Sequence, residues 1–116
     1  MPMKTLKHVL IALNFLIISA SSSLAFDKVG IAWCDQLLNH YQRCLQRMVH
    51  GGCAKLAAKR SFSETACLAD VRSLVMEMVR NIAVYNAIFD RKSKQAACTQ
   101  SVKRIVNYNL RVFGCR

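Results

Sequence analysis

The sequence predicts an all-α domain: a small three-helix bundle stapled by disulfides behind an N-terminal signal peptide, with a fourth helix if residues 53–60 form one of their own. Three observations predict it. Apolar residues recur at three- and four-residue steps over most of the chain, the period of an amphipathic helix. Proline occurs once, at Pro2, and the glycines Gly30, Gly51, Gly52 and Gly114 fall at the ends of periodic segments, so no helix interior carries a breaker. Six cysteines (Cys34, Cys44, Cys53, Cys67, Cys98, Cys115) lie within the last 83 of 116 residues, an even count that in a short exported chain reads as a disulfide framework.

The export signal is read first. Residues 1–8 carry Lys4 and Lys7 and no acid; residues 9–20 are almost wholly apolar apart from Asn14; Ser23 and Ala25 then supply a small-x-small end. A positive start, a short apolar stretch and small residues before the cut describe a secretory signal peptide, with cleavage expected after Ala25. A retained anchor would need roughly 20 apolar residues, and this run stops short, so no transmembrane segment is expected after cleavage. The expected domains are therefore 1–25, signal peptide, and 26–116, the disulfide-stabilised helical domain, periplasmic or secreted.

Without Lys4 and Lys7 the remaining 91 residues keep 15 basic side chains against 6 acidic ones, a net charge of +9. Such a bias favours anionic partners. Export argues against intracellular nucleic acid as that partner.

The first periodic segment runs over about 28–50, where Cys34, Leu37, Leu38, Tyr41, Leu45 and Met48 share a face. Trp33 is expected to anchor its N-terminal end, and Gly51-Gly52 to stop it. Residues 53–60 are read as one or two helical turns. Ser61 and Glu64 match a capping box, opening the longest helix, about 61–91, with Leu68, Val71, Val75, Met78, Ile82, Tyr85 and Phe89 in unbroken register. Leu74, Ala87 and Ile88 widen its apolar face, which predicts packing between two neighbours. Residues 91–94 are read as a basic turn. The third long helix, about 94–113, aligns Cys98, Val102, Ile105, Val106, Leu110 and Phe113, and Gly114 closes it.

Six cysteines allow fifteen pairings. In an up-down-up bundle Cys34 and Cys98 sit at one pole and Cys44, Cys53, Cys67 and Cys115 at the other, so the expected bridges are Cys34–Cys98, Cys53–Cys67 and Cys44–Cys115. One length disagrees: Cys34 to Cys44 spans about 15 Å of helix, but Cys98 to Gly114 spans about 24 Å. Cys115 must fold back, which its place after Gly114 allows. A zinc site would want ligands two to four residues apart, whereas the closest cysteines are nine apart, so no metal and no cofactor is expected.

No catalytic motif is recognisable. Six bridged cysteines leave no thiolate nucleophile, no Gly-x-Ser-x-Gly elbow occurs, and Glu64 and Glu77 stand too far apart for a carboxylate pair. His40 and His50, ten residues apart, do not share a helix face and read as surface residues. The methionines Met48, Met76 and Met78, with Tyr41, Tyr85 and Phe89, read as core. On the third long helix Arg104 and Arg111 share a face with Tyr108 between them, and with Lys103 and Arg116 they form a candidate anion-binding face.

The stretch Cys34-Asp35-x-x-Leu38-x-x-Tyr41-x-x-Cys44, the later Ala97-Cys98 and the closing Gly114-Cys115 resemble small exported, cysteine-stapled helical bacterial proteins of uncharacterised function. The nine residues between Cys34 and Cys44 are also similar to the spacing of twin-cysteine helical hairpins, a pattern that the sixteen between Cys98 and Cys115 break. This chain departs from the first group by adding Cys53 and Cys67, which implies an extra bridge. Neither resemblance implies an activity. The expectation is a non-enzymatic binding protein whose partner is an unknown protein or an anionic surface; a membrane-active or antimicrobial basic protein and a host-directed effector are the alternatives.

Overall fold

The computed structural model describes residues 25–60 and 63–115. Most of the expected signal peptide, Ser61 and Arg116 lie outside the described residues. The rest is an all-α bundle: α1 (Ala32–Arg47), α2 (Cys53–Arg60), α3 (Glu64–Ile88), α4 (Arg91–Ala97) and α5 (Lys103–Val112). A wide helical turn, Cys98–Val102, joins α4 to α5; its backbone keeps helical angles, and the Lys103 amide reaches back five residues to the Cys98 carbonyl. Residues 91–112 thus form one rod, and residues 53–60 form a helix of their own.

Several boundaries differ from expectation, among them the start of α1, at Ala32 and not near 28, and the end of α3, at Ile88 and not near 91. The cap of α3 is Ser63, whose Oγ accepts from the Ala66 amide at 3.2 Å; Glu64 is then the first helical residue and not the reciprocal member of a capping box. Residues 91–94 are no turn. Asp90 caps α4 by accepting from the Ser93 amide at 2.7 Å, so the basic run becomes the first helical turn. A cation there opposes the helix dipole, which is why the run reads as a loop when the Asp90 cap is overlooked. The first long helix ends near Met48, where His50 (φ −94°, ψ 40°) and Gly51 (φ 116°) break the helical path and the Cys53 amide donates to the Met48 carbonyl. Gly52 is confined as well: a Cβ there would lie 2.8 Å from Met48 Sδ and 2.9 Å from the Arg47 carbonyl oxygen.

The disulfides set the directions of the helices. Cys34–Cys98 and Cys44–Cys115 tie α1 to the last rod at two levels in the same order, so the two run parallel. Cys53–Cys67 ties α2 to the start of α3, while at the far end of α3 the Asn86 amide donates to the Lys28 carbonyl. The long helix therefore runs antiparallel to α1. These bridges join the same pairs as the up-down-up argument, though Cys98 sits in the middle of its rod and not at its start. The disagreement in length is removed by the C-terminal turn: Gly114 adopts φ 69°, its amide donates to the Arg111 carbonyl, and the Cys115 amide donates to Leu110. Those two bonds make a Schellman turn. It returns Cys115 to the level of Leu110, about 18 Å from Cys98 along the helix against about 15 Å between Cys34 and Cys44.

The core follows the predicted faces. Cys34, Leu38, Tyr41, Leu45 and Met48 of the first helix, Val71, Met78 and Ile82 of α3, and Cys98, Val102, Val106 and Leu110 of the last rod are buried together. Residues ahead of α1 close one end: Val29 and Ile31 are buried, Phe26 lies 6.1 Å from Tyr41, and Asp35 accepts from the Val29 and Gly30 amides. Val29 and Ile31 supply the anchor expected of Trp33, which is 38 % exposed. Met76 also departs from the core reading at 57 % exposure. It lies on the side of α3 opposite Val71 and Met78, a side for which this small bundle has no second neighbour.

Candidate functional site

Each residue of α1 that serves the core leaves its opposite face to water. His40, Arg43 and Arg47 stand three and four residues apart on that polar side, neighbours on one helical stripe. The corner at His50 and Gly51 then swings the chain round, so that His50 and Lys55, the latter from the first turn of α2, face the same space. Across it stands the end of the last rod, Phe113, Gly114 and Cys115, held there by the Schellman turn and the Cys44–Cys115 bridge. Together these residues enclose an open cleft of about 970 Å³, floored by the apolar Met48 and Phe113.

Its electrostatics are one-sided. Arg43, Arg47, His50 and Lys55 are exposed and His40 is half-buried, while among the described residues no carboxylate side chain lines the cleft. Arg47 closes the last turn of α1, where a cation complements the dipole. That account fails for Lys55. It sits in the first turn of α2, which holds no acid, where a positive charge works against the helix. Its charge, added to the positive end of α2, is better matched by an anion in the cleft.

The buried polar groups belong elsewhere. Tyr41 is fully buried, and its hydroxyl has no hydrogen-bond partner among the described residues. Burial pushes the phenol up to about 12, the Glu77 carboxylate adds to that, and the Asn109 amide works against it. Asn109 spends its Nδ2 on the Ile105 carbonyl at 3.0 Å. This pair sits inside the interface of the two disulfide-tied helices, away from the cleft lining.

Of the anion face read from the sequence, Lys103, Arg104 and Arg111 are exposed on α5, with Tyr108 beside them at 59 % exposure; Arg116 lies outside the described residues. They form an outward helical face and do not line the cleft. The two histidines do not share a helix face, yet the chain reversal brings both to one cleft. The signal for half of this site was present, since His40-x-x-Arg43-x-x-x-Arg47 is a helical stripe. The other half depends on where the corner sends the chain. Among the described residues no group of three or more His, Cys, Asp or Glu is placed to hold a metal, and no helix is long and apolar enough to cross a membrane.

No family model matches the chain, and no curated protein and no solved structure is significantly similar to it.

Proposed function

We propose that this chain is an exported, non-enzymatic binding protein that captures a multiply charged anion, one bearing sulfate or phosphate groups, in the cleft between the α1–α2 corner and the end of α5. The observation that carries the reading is the convergence of His40, Arg43, Arg47, His50 and Lys55 on one cleft that, among the described residues, no carboxylate side chain lines. Their spacing speaks for several charges on the ligand. Seven residues from His40 to Arg47 cover about 10 Å of helix, more than one phosphate or sulfate group can reach. Arginine suits such oxyanions because its planar fork donates two parallel hydrogen bonds. Export is supported by the positive, apolar and small-residue pattern of residues 1–25 and by three disulfides, which are compatible with an oxidising compartment.

The test is calorimetric titration of the purified protein with inorganic triphosphate and with sucrose octasulfate at fixed, moderate salt. R43Q/R47Q is expected to weaken binding at least about tenfold, because each lost charged hydrogen bond contributes about 1.5–3 kcal/mol before solvent screening. K103Q/R104Q/R111Q removes more charge from the outward face of α5 and is expected to bind nearly as well as the wild type. If that variant loses binding and R43Q/R47Q does not, the site is the α5 face and the cleft reading fails. Dye-loaded anionic vesicles test the membrane-active alternative: leakage at micromolar protein would favour it over capture in the cleft.

A further inference from the structure

We infer that capture in this cleft is proton-linked: the corner at Gly51 brings His40 and His50 to one anion site, so the cleft gains charge and grips its ligand more tightly as pH falls below neutrality. This rests on the reading of the cleft as an anion site. The groups that face the two histidines can be named from each element. The first helix contributes Arg43, Arg47 and Gln46, the second contributes Lys55, and the end of the last rod contributes Phe113, Gly114 and the bridged Cys115; Arg116 follows outside the described residues. Arginine and lysine stay cationic across the range in which histidine, ordinarily near 6.5, changes charge. Disulfide sulfur does not titrate, and among the described residues no carboxylate side chain lines the site. Between about pH 8 and about pH 5.5, the described lining side chains that change charge are therefore His40 and His50.

The direction follows from linkage. A bound polyanion favours the imidazolium form over the neutral one, so protons are taken up on binding and affinity rises as pH falls through the ordinary histidine range. A gain of about threefold for each histidine, and about tenfold for the pair, is expected. Both side chains act in the same direction because one ligand spans them.

The experiment uses sucrose octasulfate, whose sulfate esters keep their charge over this range, titrated calorimetrically at constant ionic strength from about pH 8 to about pH 5.5. The expected result is a dissociation constant about tenfold lower at the acid end, with net proton uptake seen as a dependence of the heat on the buffer's ionisation enthalpy. H40Q/H50Q is expected to flatten the pH profile and abolish the proton uptake. R43Q/R47Q, which also removes two cleft charges, is expected to weaken binding at every pH while keeping the slope. An unchanged far-UV spectrum and the mass calculated for each variant with three bridges show that the variants are folded. Tight binding with a flat profile in the wild type, or a slope that survives in H40Q/H50Q, overturns the inference and leaves the anion site standing. No binding at any pH overturns the anion site, and the inference falls with it.

Discussion

Replacing Tyr41 by phenylalanine is expected to stabilise this protein, although the residue lies at the centre of the core. Tyr41 is 0 % exposed, packed between the levels of the Cys34–Cys98 and Cys44–Cys115 bridges, and its hydroxyl has no partner among the described residues. A buried, unpaired hydroxyl costs about 1–3 kcal/mol in lost hydration. Removing one oxygen leaves a void of roughly 10 Å³, which at about 24 cal/mol per Å³ costs about 0.2 kcal/mol. The balance favours the variant by about 1 kcal/mol or more. For a domain of this size that is a rise of about 4–8 °C in thermal midpoint per kcal/mol, measured by circular dichroism at neutral pH with the disulfides intact. Asn109 keeps its bond to the Ile105 carbonyl in the variant, and the Tyr41 hydroxyl makes no hydrogen bond to it by geometry. In a double-mutant cycle with N109A the coupling is accordingly expected to stay below about 0.5 kcal/mol. The alkaline limb gives an independent check. A phenol held at about 12 against an ordinary 10.0 stays protonated in the fold after it would ionise in the unfolded chain. Its contribution is therefore complete below pH 10 and is lost as pH rises towards 12. Y41F should lose that part of the decline. Destabilisation of Y41F by about 1 kcal/mol or more, or strong coupling to Asn109, would refute the reasoning by showing the hydroxyl to be hydrogen-bonded.

Two further outcomes concern the scaffold. The bridges Cys34–Cys98 and Cys44–Cys115 close interleaved loops with sequence separations of 64 and 71. With one intact, the other constrains only about 27 residues and contributes about 3.5 kcal/mol, whereas the last one to go contributes about 4.3 kcal/mol. Either pair-to-alanine variant is thus expected to fold with a lowered urea midpoint. The variant lacking both pairs loses about 8 kcal/mol against a net stability of about 5–15 kcal/mol and is expected to be largely unfolded; a near-wild-type midpoint would contradict the entropic account. At the start of the last rod, the backbone and side-chain hydrogen bonds of Ser93 hold the Asp90 carboxyl below its ordinary 3.8. A lowered folded pKa means that its contribution is present above that value and lost as pH falls through the lowered one. The thermal midpoints of wild type and D90A should therefore differ near neutral pH and converge as pH falls below the lowered value.

Much of the architecture was legible from local pattern. Cys34, Leu38, Tyr41 and Leu45 share one face of a 3.6-residue period, so burial of that face follows from the order of residues alone, as it does for Val71, Met78 and Ile82. The pairing of six cysteines also followed, because three helices with short connections leave few ways to bring cysteines together. Local pattern failed where two signals competed. The charged run 91–94 reads as a turn because its cap, Asp90, is a single residue. Ser61 and Ser63 offer the same capping chemistry two residues apart, and the backbone geometry, which no local pattern records, puts Ser63 at the cap. Met76 reads as core and Trp33 as an anchor by their chemistry, but a bundle this small lacks a second layer to cover them.

By itself the sequence determined the all-α class, the approximate extents of the helices, the buried face of each and a consistent disulfide set, because hydrophobic period, breakers and chain reach are properties of neighbouring residues. Only the tertiary structure decided that there is a cleft. His40, Arg43 and Arg47 are a stripe on one helix whatever the fold, but His50 and Lys55 join them through two backbone angles at the corner. Phe113 faces them because Gly114 can adopt a positive φ and return Cys115 to Cys44. The relative orientation of separate elements is set by such turns and by packing across the core, and no periodicity along the chain records it.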